Sequence, residues 1–362
     1  MGARRRRGVS EGVARLDPEP SDLSGLDRRR VVSHLARLLA GIVIAALVIV
    51  ALPDLGGVRD RLARADAGWV VIAVAVEAAS VVAFAVAFHR AFRRDIGWWG
   101  SASLATTAQG VNVLVPAGGT GGVAAIGVAM VRLGMPRDYV IRRLLALYVI
   151  AAGLTNVAMV IVGGLGVGAG VLPGHADWEF TLLPGVLALL VCGAAAALAR
   201  HPPRHPAAID AGRLRRVLWT VIDRIVDGLR DTGALLRAGD TRLVLSAAAF
   251  VLLDLAALSV AFGAVESTPL PVGTLFLAYT LGQIGSVVSL PGTTEGGLLG
   301  VLVLYGTPVS AAAAAIVVYR AVQIFVPLAL GMVGAVGVRR MLAGDSLDGP
   351  GGVVIEAPSG PR

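Results

Sequence analysis

Long apolar runs separated by short charged stretches are the feature that most constrains how this chain can fold. Only 15% of its residues are charged, whereas soluble domains carry about a quarter. An apolar run of about 20 residues spans the hydrocarbon core of a bilayer when it forms a helix. A helix also satisfies its own backbone hydrogen bonds, which lipid cannot do. The pattern therefore predicts an all-α integral membrane protein.

Six runs are continuous enough to be full transmembrane helices, and two further apolar stretches are interrupted. The continuous runs cover about 35–52, 68–88, 144–166, 180–199, 243–264 and 309–338. The interrupted stretches cover about 101–133 and 272–305. We expect each interrupted stretch to form a re-entrant helical hairpin. The prediction is thus about six full spans plus two hairpins, or eight spans if the hairpins are counted as spans.

The two interruptions contain the same residue types, and in both a proline precedes a glycine pair by the same distance. The predicted structural breaks are Pro116, Gly118, Gly119, Gly121 and Gly122 in the first stretch, and Pro291, Gly292, Gly296 and Gly297 in the second. This similarity predicts an internal repeat with units at about 68–166 and 243–338. The alternative is chance recurrence in a chain with 47 Gly and 18 Pro.

The distribution of basic residues, all of which are Arg, predicts the topology. Arg clusters precede the first span and recur at 90–94, within 200–242 and at 339–340, whereas 167–179 contains none. Both termini are then cytoplasmic, and each interrupted stretch returns to the side from which it enters. The units therefore form an inverted repeat, expected in a bacterial inner (cell) membrane. Three Arg residues in the loop at 53–66 conflict with this topology.

The remaining segments frame a transmembrane domain over 35–340. Residues 1–34 are predicted to be a disordered basic cytoplasmic tail, and residues 341–362 a second disordered cytoplasmic tail. The segment 213–237 has apolar residues on one helical face and Arg on the other. It predicts an amphipathic cytoplasmic helix. Such a helix either lies in the membrane interface or packs on the protein's own helix ends.

Charged residues within the predicted spans point to a polar cavity. Glu77, Asp254, Glu295 and Arg320 all fall within apolar stretches. A central charge costs about 2.5–3.5 kcal/mol, whereas a Leu or Val returns only about 0.3–0.6 kcal/mol. Two broken hairpins would also direct positive helix N-termini into the membrane interior, which suits a phosphate or carboxylate group. The alternative is a purely structural ion pair, such as Asp254 with Arg320.

Other polar residues leave their roles open or exclude a class of site. Gln109, Asn112 and Gln283 precede the two breaks, where they could hold a headgroup or cap freed backbone groups. The His residues have no partner at ligand spacing, and Cys192 is the sole cysteine, so we expect no metal site and no cofactor. With 5% aromatic residues and its Arg beside apolar spans, the chain is not expected to bind nucleic acid.

Three motifs in this order resemble the lysylphosphatidylglycerol synthase transmembrane region family, whose members are flippase-like. They are the Asn112 to Gly119 segment, the Pro291 to Gly297 segment and the pair Tyr319-Arg320. The second segment is shorter than the family pattern between Pro291 and Glu295. The resemblance implies a module that moves a lipid or lipid-linked substrate, without the soluble aminoacyl-transfer domain of bifunctional members.

The sequence thus favours a passive or ion-coupled translocase over an enzyme, and two alternatives stay open. One is a membrane-embedded transferase with Glu295 or Asp254 as general base, and the other is a non-catalytic partner subunit. Expected partners are membrane lipids, among them anionic or aminoacylated phospholipids or a lipid-linked glycan, and a homo-oligomer is possible. The substrate-binding candidates are Glu295, Arg320, Tyr319, Asp254, Gln283, Asn112, Gln109 and Glu77.

Overall fold

The computed structural model describes residues 56–93, 95–115, 120–173, 178–200, 213–266, 270–282 and 293–344. The predicted first span at 35–52, the predicted N-terminal tail and residues 345–362 of the predicted C-terminal tail lie outside these residues. So do six of the residues singled out above: Pro116, Gly118, Gly119, Gln283, Pro291 and Gly292. Met341 and Leu342, which were assigned to the C-terminal tail, belong to the last helix instead. The described part of the chain is helical throughout and contains no strand, which confirms the predicted all-α class.

The described residues form eleven helices. These are α1 (Gly56–Ala63), α2 (Ala67–Phe92), α3 (Trp98–Leu114), α4 (Thr120–Arg132), α5 (Arg137–Gly168), α6 (Trp178–Arg200), α7 (Arg213–Arg237), α8 (Thr241–Val265), α9 (Val272–Gly282), α10 (Thr293–Leu304) and α11 (Val309–Leu342). A π-helical turn, Val149–Leu154, interrupts α5. Five helices, α2, α5, α6, α8 and α11, are long and apolar enough to cross a membrane. The chain is a multi-pass membrane protein.

The helices from α2 to α5 and from α8 to α11 repeat the same order: one long helix, two short helices and another long helix. The first helices contain 26 and 25 residues and begin at equivalent aspartates, Asp66 and Asp240, whose side chains accept hydrogen bonds from backbone N–H groups of the first turn. The turns before the last helices also match, because Gly134 and Gly306 both have positive φ, at 97° and 88°. Such values favour glycine.

Helices α2 and α8 pack along each other in opposite directions. At one end, the backbone N–H of Asp66 donates to the carbonyl of Ala264 over 3.0 Å. At the other end, the Arg90 Nη2 atom lies 2.7 Å from the Asp240 Oδ2 atom. Since α2 and α8 are the first helices of the two repeat units, the units run in opposite directions. This is the arrangement expected of an inverted repeat.

Each interrupted stretch forms two helices in contact, α3 with α4 and α9 with α10. The sequence placed both glycine pairs in the breaks, but α4 begins at Thr120 and α10 begins at Thr293. Gly121 and Gly122, and likewise Gly296 and Gly297, therefore lie within helices, which corrects that prediction. The second glycine of each pair, Gly122 or Gly297, serves close packing against the other helix of its hairpin and not a turn.

The amphipathic helix α7 has the predicted bounds, Arg213–Arg237. It packs on α5 and α6, where Gly228 lies directly against the side chain of Leu145. Val226 and Leu235 are buried, whereas Ile225, assigned to the apolar stripe from the sequence, is 43% exposed. The described contacts therefore favour packing on the protein's own helices over a helix that lies free in the membrane interface.

Candidate functional site

Polar side chains from four helices meet midway along α2 and α8, and we refer to them as the central cluster. Its members are Glu77 of α2, Asp254 of α8, Tyr279 of α9, and Tyr319, Arg320 and Gln323 of α11. Glu77 is ten residues from the start of α2, which places it about 15 Å along the helix axis. Apolar residues surround the cluster, among them Leu255, Leu258 and Leu302.

Asp254 is the centre of the hydrogen-bond network. The hydroxyl of Tyr279 donates to its Oδ2 atom over 2.5 Å, and the hydroxyl of Tyr319 donates to its Oδ1 atom over 2.9 Å. The amide Nε2 of Gln323 lies 3.0 Å and 3.1 Å from the two carboxyl oxygens. Three neutral donors thus satisfy a carboxyl group that is only 8% exposed. Burial of an acid at this depth requires such partners.

Glu77 reaches the same place from α2. It is 4% exposed, and its side chain meets the carboxyl group of Asp254. Its Oε2 atom is buried and receives no hydrogen bond from any residue that the structure describes. One turn further along α2, the Ser80 hydroxyl donates to the Phe250 carbonyl over 2.8 Å and ties the two helices together beside the pair.

Arg320 connects the central cluster to the start of α10. Its Nη1 atom donates to Oε1 of Gln323 over 2.5 Å. Its Nε atom lies 3.0 Å from the Oε1 atom of Glu295, but this N–H is not aligned to donate a hydrogen bond there. The Glu295 side chain is 45% exposed and that of Arg320 is 21% exposed. Glu295 lies in the first turn of α10 and is the more exposed end of this chain of contacts.

The structural ion pair suggested from the sequence, Asp254 with Arg320, is not formed directly. Arg320 pairs with Glu295, and Gln323 stands between the guanidinium and Asp254. A side chain that donates with one amide atom and accepts with the other can bridge a carboxylate and a cation. Two hydrogen bonds of Gln323 therefore connect Asp254 to Arg320.

The polar residues that precede the first break, Gln109 and Asn112, make their contacts next to that break and not in the central cluster. Oδ1 of Asn112 accepts a hydrogen bond from the backbone N–H of Gly122 over 2.7 Å, and its Nδ2 atom lies 3.4 Å from Oε1 of Gln109. Asn112 thus satisfies an N–H group in the first turn of α4, which is the capping alternative considered from the sequence. Among the described residues, no hydrogen bond or ion pair joins Asn112 or Gln109 to the central cluster.

Two cavities are lined in part by residues of α8 or its C-terminal end. An apolar cavity of about 350 Å³ lies between α5, α8 and α9, and its lining includes Met159, Leu252 and Phe276. A polar cavity of about 560 Å³ lies at the far end of α8, where Arg61 and Glu266 form an ion pair. No group of three or more His, Cys, Asp or Glu within the described ranges could hold a metal ion.

The family model of the lysylphosphatidylglycerol synthase TM region matches residues 38–331. The chain belongs to this family. The match covers both breaks and every member of the central cluster, so the resemblance noted from three short motifs is confirmed. No curated protein matches the sequence. Membership in the lysylphosphatidylglycerol synthase TM region family makes this a lipid-related integral membrane protein.

The structure brings together five of the residues predicted from the sequence: Glu77, Asp254, Glu295, Tyr319 and Arg320. Sequence reasoning missed Tyr279 and Gln323, although both donate to Asp254. Gln323 lies three and four positions after Arg320 and Tyr319, which places all three on neighbouring positions of one helix face. This spacing is visible in the sequence, so helical periodicity alone could have identified Gln323 as a neighbour of Tyr319 and Arg320.

Proposed function

We propose that this protein moves an anionic phospholipid or lipid-linked phosphate between the leaflets of a bacterial inner membrane, with Arg320 as the group that binds the phosphate. The observation that carries the proposal is a cation at mid-span depth whose Nε–H is not aligned with its carboxylate neighbour. A charge at this depth is costly, and such residues mark substrate pathways in membrane proteins. The guanidinium group is also well suited to phosphate.

Glu295 occupies the place that an anionic headgroup would take. Glu295 is the more exposed partner of the ion pair with Arg320. An incoming phosphate can therefore displace its carboxylate from the guanidinium group. Glu295 also lies in the first turn of α10, where backbone N–H groups and the helix dipole favour an anion. A phosphate bound to Arg320 would benefit from the same N-terminus.

The apolar cavity supports the same proposal because it could accept an acyl chain beside the headgroup site. On α9, Phe276 of its lining lies one helical turn before Tyr279 of the central cluster, on the same side of the helix. A lipid could therefore keep its chain against α5 and α8 while its headgroup reached the cluster. The Arg distribution supports cytoplasmic termini, which gives the transport cycle its orientation.

Reconstitution tests this function. Proteoliposomes that contain the purified protein and a labelled anionic phospholipid should move the label between leaflets faster than protein-free vesicles. Arg320→Gln should lower that rate by roughly tenfold or more, because a hydrogen bond to a charged group contributes about 1.5–3 kcal/mol and 1.4 kcal/mol is a factor of ten. The matched control is Arg237→Gln, since Arg237 is an exposed residue of α7 that donates to the Gly233 carbonyl of its own helix.

Lipid movement equal to that of empty vesicles, with both phospholipid and lipid-linked phosphate, would rule out the proposed function. Equal rates for Arg320→Gln and Arg237→Gln would instead remove Arg320 from the binding site. A covalently altered lipid after incubation would favour the transferase alternative. Size-exclusion chromatography of each variant separates a change in transport from a failure to fold.

A further inference from the structure

Two buried carboxyl groups meet at the α2–α8 interface, and transport as described above leaves their contact unexplained. Glu77 is 4% exposed and Asp254 is 8% exposed, and the two carboxyl groups interact with each other where α2 packs on α8. A carboxylate only accepts hydrogen bonds, so two carboxylates cannot bond to each other unless one carries a proton. The buried Oε2 atom of Glu77, which receives no hydrogen bond from a described residue, adds a second acceptor without a donor.

The arrangement around Asp254 favours a proton over a metal cation. Both of its oxygens already accept hydrogen bonds, from Tyr279, Tyr319 and Gln323. The hydrogens of these donors occupy the directions in which a cation would need oxygen lone pairs. A proton shared by two carboxyl groups needs one lone pair from each of them, whereas a metal cation needs several oxygen ligands at once, so the proton is the easier of the two to accommodate here.

Among the residues that the structure describes, the ionisable neighbours of the pair come from the central cluster and its edge. Tyr279 of α9 and Tyr319 of α11 face Asp254 as donors, and Arg320 of α11 faces it through Gln323. Glu295 of α10 lies beyond Arg320. The net charge of this group therefore changes when the pair gains or loses one proton.

We propose that Glu77 and Asp254 form a proton-binding site that shares one proton and exchanges it with water during the transport cycle. The step breaks one O–H bond of a hydronium ion and forms one O–H bond at a carboxylate oxygen, which leaves a water molecule; release is the reverse transfer, and neither involves a redox change. This inference rests on the proposed function in one respect, since the transport cycle is the process that the proton would couple to.

Gln323 provides the physical link between the proton and the substrate site. It donates to Asp254 with Nε2 and accepts from Arg320 with Oε1. With the proton bound, Asp254 offers less negative charge to this bridge, and Arg320 is freer to hold an anion. Proton loss strengthens the attraction of Arg320 to the cluster and favours anion release. The pair thereby provides a route for a proton gradient to drive lipid movement.

Infrared spectroscopy tests the proton site without any transport assay. The purified protein at neutral pH should show the carbonyl stretch of a protonated carboxyl group, shifted in heavy water. Glu77→Gln should abolish this band, because the remaining Asp254 carboxylate keeps the hydrogen bonds from Tyr279, Tyr319 and Gln323 that stabilise its ionised form. Asp254→Asn should shift the frequency of the band, because the buried Glu77 loses the carboxyl partner with which it shares the proton. Glu179→Gln, which changes an exposed acid at the start of α6, should leave it unchanged. Absence of the band in the unmodified protein would overturn the proton site.

Transport measurements test the coupling. A pH gradient across the proteoliposomes should accelerate lipid movement by the unmodified protein and by Glu179→Gln, and should have no effect on Glu77→Gln. Acceleration by a sodium gradient but not by a pH gradient would overturn the proposal. A carboxyl band without lipid movement would rule out the transport function and its coupling to protons. It would leave the proton site supported. Lipid movement without the band would overturn the proton site alone.

Discussion

Gly122 packs directly against the backbone of the neighbouring helix in its hairpin. A Cβ atom at this position would lie 2.1 Å from the carbonyl oxygen of Ala108. In the second unit the equivalent residue, Gly297, would place a Cβ atom 3.0 Å from the carbonyl oxygen of Gly282. Both units thus use the second glycine of the pair to bring two helices together. The first glycine of the second pair, Gly296, has open space around it.

Gly122→Ala should therefore lower the free energy of unfolding by roughly 1–3 kcal/mol, the usual cost of forcing an added group into a packed site. Gly296→Ala is the matched control. It should leave stability unchanged or raise it by up to about 1 kcal/mol, because Ala favours helix more than Gly does. Thermal unfolding in detergent measures both. Equal stability of the two variants would contradict the packing seen at Gly122.

The charged residues of the central cluster were predictable individually, because each acid or Arg within an apolar run stands out. Their grouping was not predictable in the same way. Nothing in the sequence distinguishes Glu295 from Asp254 as the partner of Arg320, since the choice depends on how α10 and α11 approach each other. Tyr279 was overlooked because a tyrosine in an apolar helix is common, and only its distance to Asp254 reveals its role.

Helices α2 and α8 are held together at both ends by polar contacts. Arg90 donates from Nε to both carboxyl oxygens of Asp240, over 3.2 Å and 2.9 Å, and Asp240 also caps the N-terminus of α8. Burial raises the pKa of Asp240, but the hydrogen bonds from Arg90 and Leu243 and the charge of Arg90 outweigh it and hold this pKa below its ordinary value. The contact fastens one end of the helix pair.

The contribution of Asp240 to stability should depend on pH in a definite direction. Since its pKa is lower in the folded protein than in the unfolded chain, the stabilisation is present above the unfolded value of about 4 and is lost as the pH falls through the folded value. Asp240→Asn keeps a good N-cap residue but removes the ion pair, so it should lower stability at neutral pH by roughly 1 kcal/mol and abolish this part of the pH dependence.

Thermal unfolding at a series of pH values below neutrality measures this effect. Glu179→Gln serves as the control, because it changes the same total charge at an exposed position. If the stability difference between Asp240→Asn and the unmodified protein persisted at the acidic end of the series, the Asp240 carboxylate would not be its source.

The antiparallel packing of α2 and α8 places the two repeat units in opposite orientations. This orientation predicts the side of the membrane from which each break is accessible. With Cys192→Ser as the background, Thr120→Cys marks the start of α4 and Thr294→Cys marks the start of α10. Because the units are inverted, a membrane-impermeant thiol reagent should label the two cysteines from opposite sides of oriented proteoliposomes. Labelling of both cysteines from one side would overturn the inverted topology, and with it the polar cavity expected between two hairpins that enter from opposite sides.

The sequence alone determined that the chain crosses a membrane and where most of the described helices lie, and it predicted that two similar units repeat. Bilayer thickness and the insolubility of unpaired backbone groups in lipid leave few other solutions for such apolar runs. The bounds of α7 were predicted, whereas α5 begins at Arg137 rather than near 144, because hydropathy does not detect the polar end of a helix.

Only the tertiary structure decided which polar groups meet. It paired Arg320 with Glu295, placed Gln323 between Arg320 and Asp254, and brought Glu77 to Asp254 from a helix far away in sequence. It also showed that Gly122 and Gly297 belong to helices and not to the breaks. These outcomes depend on distances across helix interfaces, and no local pattern of residues encodes such distances.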